Sequence, residues 1–254
     1  MNTLLNNALY IYHLTMIKVR NEFKSYSLGL LWWYVDPIVN TAVLYVVTVS
    51  ILHQRSEGGA LAMMAGMQMF RYLQSAIMGA CNSLQQAIQL SARLYVPKYS
   101  FVIRDVAAET LKLTVGIAVL LFFLLGWKIA EFSLLETIVV IIVACTFVTG
   151  VSSIVALFSA LIRDVRMVIG YILRVLFFLS GLFYGLDQVP EAWRTFFLLN
   201  PFALLVHEFR LAVISSEGID YGWLGLLFVV SLGIGWIGFW ALFKFDRELP
   251  KYVI

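Results

Sequence analysis

Gln68, Arg71, Ser75, Asn82, Gln86, Gln89 and Arg93 recur at helical intervals along a stretch that is otherwise apolar, with Met78 and Gly79 filling the one gap. They make one helix face polar over about seven turns. The chemistry open to such a face is hydrogen bonding and, through its guanidinium groups, attraction of anions. Lipid penalises a polar face, so it must turn to a partner helix or to a water-filled path. Hydrogen bonds between packed subunits are one reading. Arg71 favours a path, because a charge in mid-span is costly unless water or an anion compensates it.

Phe70 and Tyr72 flank Arg71, and Trp32, Trp33 and Tyr34 stand at the start of the first apolar stretch. Aromatic rings stack on the apolar faces of sugars, but Trp and Tyr are also enriched at membrane interfaces as anchors. Anchoring is the stronger reading for Trp32 and Trp33, and a lining role competes evenly with packing for Phe70 and Tyr72.

Other constellations carry little. His13, His53 and His207 are dispersed, and His207-Glu208 lacks the second histidine of an HExxH zinc site, so no metal site is expected. Cys81 and Cys145 fall inside apolar stretches without a CxxC and are expected as reduced, packed thiols. No phosphate-binding loop and no GxGxxG occurs, so the chain is not expected to bind ATP itself. Asp187, Glu191, His207 and Glu208 are the only cluster a membrane-embedded sugar transferase would find on the outer side. Hydration of short helices there is the better account of them.

The elements that must hold these residues are membrane spans. Hydrophobic residues are 61% and charged residues 13% of the 254, and the mean hydropathy is +0.89, which marks an integral membrane protein. A span needs roughly 20 apolar residues, and such stretches lie near 29–53, 60–84, 106–126, 134–161, 167–186 and 221–243. The expected fold is therefore all-α, with six transmembrane helices. Between spans five and six, Pro190, Pro201 and scattered charges break the chain into pieces too short to cross, predicting two short re-entrant helices. Upstream, Leu5, Leu9, Tyr12, Met16, Val19, Phe23 and Tyr26 share a helical face that Lys18, Arg20 and Lys24 avoid. That is an amphipathic helix lying at the lipid headgroups.

The chain thus reads as one domain over 1–254: an interfacial helix at 1–27, spans one to five over 28–186, short outer helices at 187–216, span six at 221–244 and a tail at 245–254. Lys18, Arg20, Lys24, Arg93, Lys98, Arg104, Arg163, Arg166, Lys244, Arg247 and Lys251 lie on one side of this topology, against Arg55, Lys128, Arg194 and Arg210 on the other. The positive-inside rule makes both termini cytoplasmic. The first 24 residues show no apolar core of signal-peptide type. The positive net charge describes topology, and no nucleic-acid partner is implied.

A resemblance rests on LGLLWWYVDP after the basic amphipathic helix, LYVPK after span two, LIRDVR after span four, FFLSGLFYGLDQVPEAWR and LLNPFALLVHEFR. In this order and spacing they resemble the membrane subunit of an ABC-2 type polysaccharide exporter, over about residues 5–250. That family moves capsular polysaccharide, lipid-linked O-antigen or teichoic acid across the bacterial inner membrane.

The resemblance implies a homodimer enclosing a channel, with two copies of a separate cytoplasmic ATPase that binds the ATP and Mg, and no cofactor in this chain. It implies a coupling helix at Arg93, Leu94, Tyr95, Pro97 and Lys98, with the Arg163-Asp164 turn nearby. It implies a periplasmic gate at 189–215, including Pro190, Trp193, Asn200, Pro201 and Phe202. It also matches Phe70, Arg71 and Tyr72 to the belt that guides a sugar chain; with Tyr34 and the polar residues Gln68, Ser75 and Asn82 these are the expected channel residues, and periplasmic and outer-membrane export proteins are further expected partners.

One departure is informative. Where the family often carries an aromatic-rich, proline-containing run, this chain reads GMQMFRYL, with Gln68 and Arg71 in polar places. That points to an acidic glycan, whose carboxylates an arginine would meet. An ABC-2 exporter of small drugs or lipids is the rival within the fold, since it needs no long polar stripe. A gradient-driven carrier is disfavoured, because Asp36 is the only acid deep in span one and no repeated half is visible.

Overall fold

The computed structural model describes residues 2–25, 31–51, 59–91, 97–126, 132–214 and 218–245. Every element among them is helical: α1 (Asn2–Ser25), α2 (Leu31–Tyr45) running into a π-helical segment (Val46–Ile51), α3 (Gly59–Ser91), α4 (Tyr99–Gly126), α5 (Leu134–Leu161), α6 (Val165–Leu179), a 3₁₀ turn (Leu186–Gln188), α7 (Glu191–Leu199), α8 (Pro201–Ile214) and α9 (Tyr221–Phe245).

Among the described residues, three helices are long and apolar enough to cross a membrane: α4 over Tyr99–Leu124, α5 over its full length and α9 over Tyr221–Lys244. The consecutive helices α7 and α8 meet at 98° and would make a fourth if counted as one broken span. The other expected spans fall short of this test for separate reasons. Helices α2 and α6 have 15 residues each, about 22 Å of rise against the ~30 Å of a hydrocarbon core. Helix α3 has 33 residues, but its polar face dilutes its apolar character.

Helix α3 is the axis of the fold, packing against α2, α4, α5, α6 and α8. Met69, Phe70 and Leu73 on it are fully buried in a core completed by Leu120, Leu205 and Phe209. Helices α5 and α9 make the most intimate pair. A Cβ on Gly150 would sit 3.0 Å from Gly235 N and Ser231 O, and one on Gly238 would meet Ser153 Oγ at 1.8 Å. Small residues let these backbones approach, as is common where lipid removes the hydrophobic drive between helices. Phe158, Trp236, Ile237 and Trp240 turn outward on the same pair, an apolar surface suited to acyl chains.

Helix α1 is moored to α4. Tyr10 and Leu14 pack on the buried pair Ala87 and Phe101, and Val19 and Thr15 are buried. The predicted apolar face divides here, since Leu9 and Tyr12 stay exposed while Val19 enters the packing.

Helix ends follow local chemistry. The Ser133 hydroxyl accepts from Glu136 N at 3.4 Å to cap α5, and Asp220 Oδ1 accepts from Gly222 N at 2.8 Å and Trp223 N at 3.2 Å to cap α9. Gly181, after α6, has φ 70°, the left-handed conformation glycine tolerates best.

Candidate functional site

A cavity of about 510 Å³ opens among α1, α2, α3 and α4. Helix α3 supplies Gln68, Arg71, Tyr72 and Ser75 to its wall over about two turns, and α2 faces them with Trp32, Trp33 and Asp36. Helix α4 closes the floor with Glu109, Lys112 and Gly116, and Glu22 enters from α1.

Arg71 is compensated within the protein: its Nη2 donates to Asp36 Oδ2 across the α2–α3 contact. Asn40 Nδ2, one turn along α2, donates to Asp36 Oδ1 at 2.8 Å and to the Asp36 carbonyl at 2.7 Å. The carboxylate is therefore held from two sides. Arg71 Nη1 is buried without a hydrogen-bond partner among the described residues, leaving one donor of this cationic group unspent.

Gln68 is buried and donates to Gly116 O at 2.9 Å. The missing side chain at 116 makes this possible, since a Cβ there would fall 1.9 Å from Gln68 Oε1. Tyr72 is buried with its hydroxyl 3.1 Å from Thr110 Oγ1.

A chain of alternating charge borders the cavity. Lys112 Nζ lies 2.6 Å from Glu22 and 2.7 Å from Glu109, and 5.8 Å from the Trp33 ring centroid. Lys18 bridges Glu22 at 3.9 Å and Asp105 at 3.1 Å. Asp105 also holds Arg104 at 2.6 Å, and Arg104 Nη2 reaches Gln86 Oε1 at 2.8 Å. Six charged groups thus fasten α1 to α4.

The other expected channel residues lie elsewhere. Phe70 is fully buried, its ring 5.3 Å from Phe177 and 5.8 Å from Phe202. Asn82, three turns below Arg71, accepts from Arg166 Nη1 at 3.1 Å. The Tyr34 side chain lies outside the described residues.

Of the expected coupling residues, Arg93, Leu94 and Tyr95 lie outside the described residues, and Pro97 and Lys98 form the turn that starts α4. Lys98 is 3% exposed, placed within the packing, whereas Arg163 and Asp164 are exposed on the turn between α5 and α6.

A second cavity of about 540 Å³ lies under α7, and Pro190, Trp193 and Asn200 line it with Leu179, Tyr184 and Phe197. Asn200 accepts from Phe202 N at 3.1 Å to cap α8, and donates to Leu179 O at 3.2 Å to tie that cap to the end of α6. Pro201 occupies the first position of α8, where its missing N–H costs nothing. Phe202 points into the core, 6.0 Å from Phe147.

Arg210 of α8 escaped the sequence reading as a structural residue. It donates to Ala62 O at 3.0 Å, Gly181 O at 2.8 Å and Leu182 O at 2.9 Å. Its guanidinium fills the space above Gly66, where a Cβ would come within 2.5 Å of Nε. Arg174, on α6, was also missed, although a lone cation amid MVIGYILRVLFFL was visible. Glu208 is buried and accepts from Asp220 N at 2.9 Å, which gives it a structural duty.

The site can bind and position polar or charged groups at the edge of a membrane core. The description of ABC-2 type transporters matches residues 11–214 of this chain. The chain belongs to the ABC-2 type transporter family. Among relatives of this ABC-2 protein is the O-antigen export system permease protein RfbA of Klebsiella pneumoniae, 19% identical over 224 residues, 87% of this chain and 85% of the relative. The polysialic acid transport protein KpsM of Escherichia coli is 23% identical over 231 residues, 86% of this chain and 87% of the relative. The expected resemblance to permease subunits of polysaccharide exporters holds over nearly the whole ABC-2 chain.

Proposed function

We propose that this ABC-2 permease exports a lipid-linked polysaccharide, an acidic capsule or an O-antigen, across the bacterial inner membrane. It works as a homodimer with two copies of a separate ABC ATPase that binds ATP and Mg. Both termini are cytoplasmic, and α2 with its π-helical continuation, α3, α4, α5, α6 and α9 are the six spans. The observation that carries the reading is the similarity, over 86–87% of the chain, to permeases named for O-antigen export and polysialic acid transport.

The geometry supports the parts. The polar wall of α3 offers hydrogen-bonding groups to glycan hydroxyls. The bent pair α7 and α8, turning by 98°, suits two short helices dipping into the outer side to close its mouth. The segment from Arg93 to Pro97 and the exposed Arg163-Asp164 turn are the ATPase contacts, with α1 as a second; Lys98, buried, anchors the start of α4 instead. The charge chain from Arg104 to Glu109 makes α1 and the first turns of α4 move together, so force on either reaches the α2–α3 contact. ATP-bound and ATP-free partners then need only prefer different membrane conformations. The acids and histidine of the outer helices do no covalent chemistry.

Affinity purification of the tagged chain from its native membranes in mild detergent, with mass spectrometry of bound proteins, tests this. A stoichiometric partner carrying a P-loop, whose ATP hydrolysis rises with glycan, is the expected result. Recovery of the chain alone, or stimulation by lipophilic compounds and not by glycan, would overturn it.

A further inference from the structure

Among the described residues, the cations at depth in this fold have polar protein partners, with one exception. Arg71 has Asp36, Lys112 has Glu22 and Glu109, and Arg210 has three carbonyls. Arg174 makes no ion pair or hydrogen bond among the described residues, and its guanidinium lies over the Tyr171 ring, 5.5 Å from Cζ to the centroid. It is exposed on a helix that buries only Leu173.

Its depth makes this costly. Nine residues separate it from Val165 at the start of α6, about 13 Å of rise, which puts it near the middle of a ~30 Å core. One turn further on, Phe177 meets Phe70, the residue before Arg71, at 5.3 Å. Arg174 and Arg71 therefore sit within about one helical turn of the same level. A charge there needs water, a partner or an anion, and an unpaired intramembrane charge marks a path.

We propose that Arg174 is the residue that recognises carboxylates of an acidic glycan in transit, and that Arg71, tied to Asp36, serves the framework. This inference rests on the exporter reading above. A planar guanidinium matches a carboxylate with two parallel hydrogen bonds, and Tyr171 one turn below offers a ring face to the sugar. One such group per protomer, exposed and without a second cation among its described contacts, attracts each acidic residue without trapping it. Conduction requires that balance between entry and release.

The test uses the complex of this chain with its ATPase in lipid nanodiscs, reading ATP hydrolysis against oligosialic acid and against dextran of equal length. In wild type, oligosialic acid should act at lower concentration than dextran. Arg174→Gln should raise the half-maximal concentration of oligosialic acid roughly tenfold or more, the scale of one charge-assisted hydrogen bond, while dextran is unaffected. Arg174→Lys should retain part of the preference. An unchanged response of Arg174→Gln to oligosialic acid overturns the assignment, and so does loss of the dimer in that variant, which would make Arg174 a subunit contact.

If neither glycan stimulates wild type, the exporter reading falls, and accessibility decides Arg174 separately. In a Cys81→Ala, Cys145→Ala background, Arg174→Cys should react with a membrane-impermeant, negatively charged methanethiosulfonate. Reaction only with a lipid-soluble maleimide would place position 174 against lipid and overturn the proposal.

Discussion

Breaking the Arg71–Asp36 pair separates a framework role for Arg71 from a substrate role. The side chains are 32% and 41% exposed in the protomer, between the fully solvated pairs worth about 0.2–1 kcal/mol and buried pairs whose disruption costs about 3–5 kcal/mol. Asn40 holds the same carboxylate, so Asp36 pays little further entropy to meet Arg71. We expect Arg71→Gln and Asp36→Asn each to cost about 2 kcal/mol. The double variant should lose no more than the worse single one, giving a coupling energy of about 2 kcal/mol. Thermal unfolding in detergent, followed by tryptophan fluorescence, should show single-variant shifts of roughly 4–8 °C for a chain of this size. Export by the double variant should exceed that of Arg71→Gln alone. If the two losses simply add, or if the double variant exports no better than Arg71→Gln, the pair is not what fixes Arg71 and the reasoning fails.

Four other outcomes follow from the packing. Arg210→Met strips three carbonyls of their donor and should cost about 3–5 kcal/mol, read as loss of monodisperse protein on size-exclusion chromatography after mild heating. Gly150→Val forces a side chain toward Gly235 and Ser231 and should cost about 2–4 kcal/mol through overpacking and helix separation, with cysteine cross-linking between α5 and α9 falling accordingly. Asn200→Ala removes the α8 cap and should cost about 1 kcal/mol, visible as faster amide exchange at Phe202. Glu22→Gln weakens the link to Lys18 and Lys112 by about 1 kcal/mol, raising proteolytic release of α1 roughly fivefold.

The sequence disclosed the long elements because lipid imposes a length rule. The span expected at 134–161 coincides with α5, and the break at Pro201 falls where α7 gives way to α8. The polar face of α3 was legible from its spacing. What fills that face was not, because the pairing of Arg71 with Asp36 spans 35 residues and periodicity carries no information between helices. Phe70 shows the same limit: its neighbour Arg71 faces the cavity, while its own ring, about 100° further round the helix, meets Phe177 and Phe202. Lys18 and Glu22, or Glu109 and Lys112, could be read as local pairs from their spacing, yet the bonds that join α1 to α4 run from Lys18 to Asp105 and from Glu22 to Lys112. Arg210 looked like an outer-loop cation; only the backbone turn after α6 shows why it is needed.

The thin seating of α6 bears on how the assembly acquires its shape. With Leu173 as its one buried side chain, α6 gains little free energy from its own protomer, so its amides should exchange ahead of those in α3 or α5. In the proposed homodimer its resting angle is then settled by what surrounds the subunit, lipid on one side and a second copy on the other. The geometry of the proposed conduit between two copies would in that sense be a quaternary property, written only weakly into the tertiary fold.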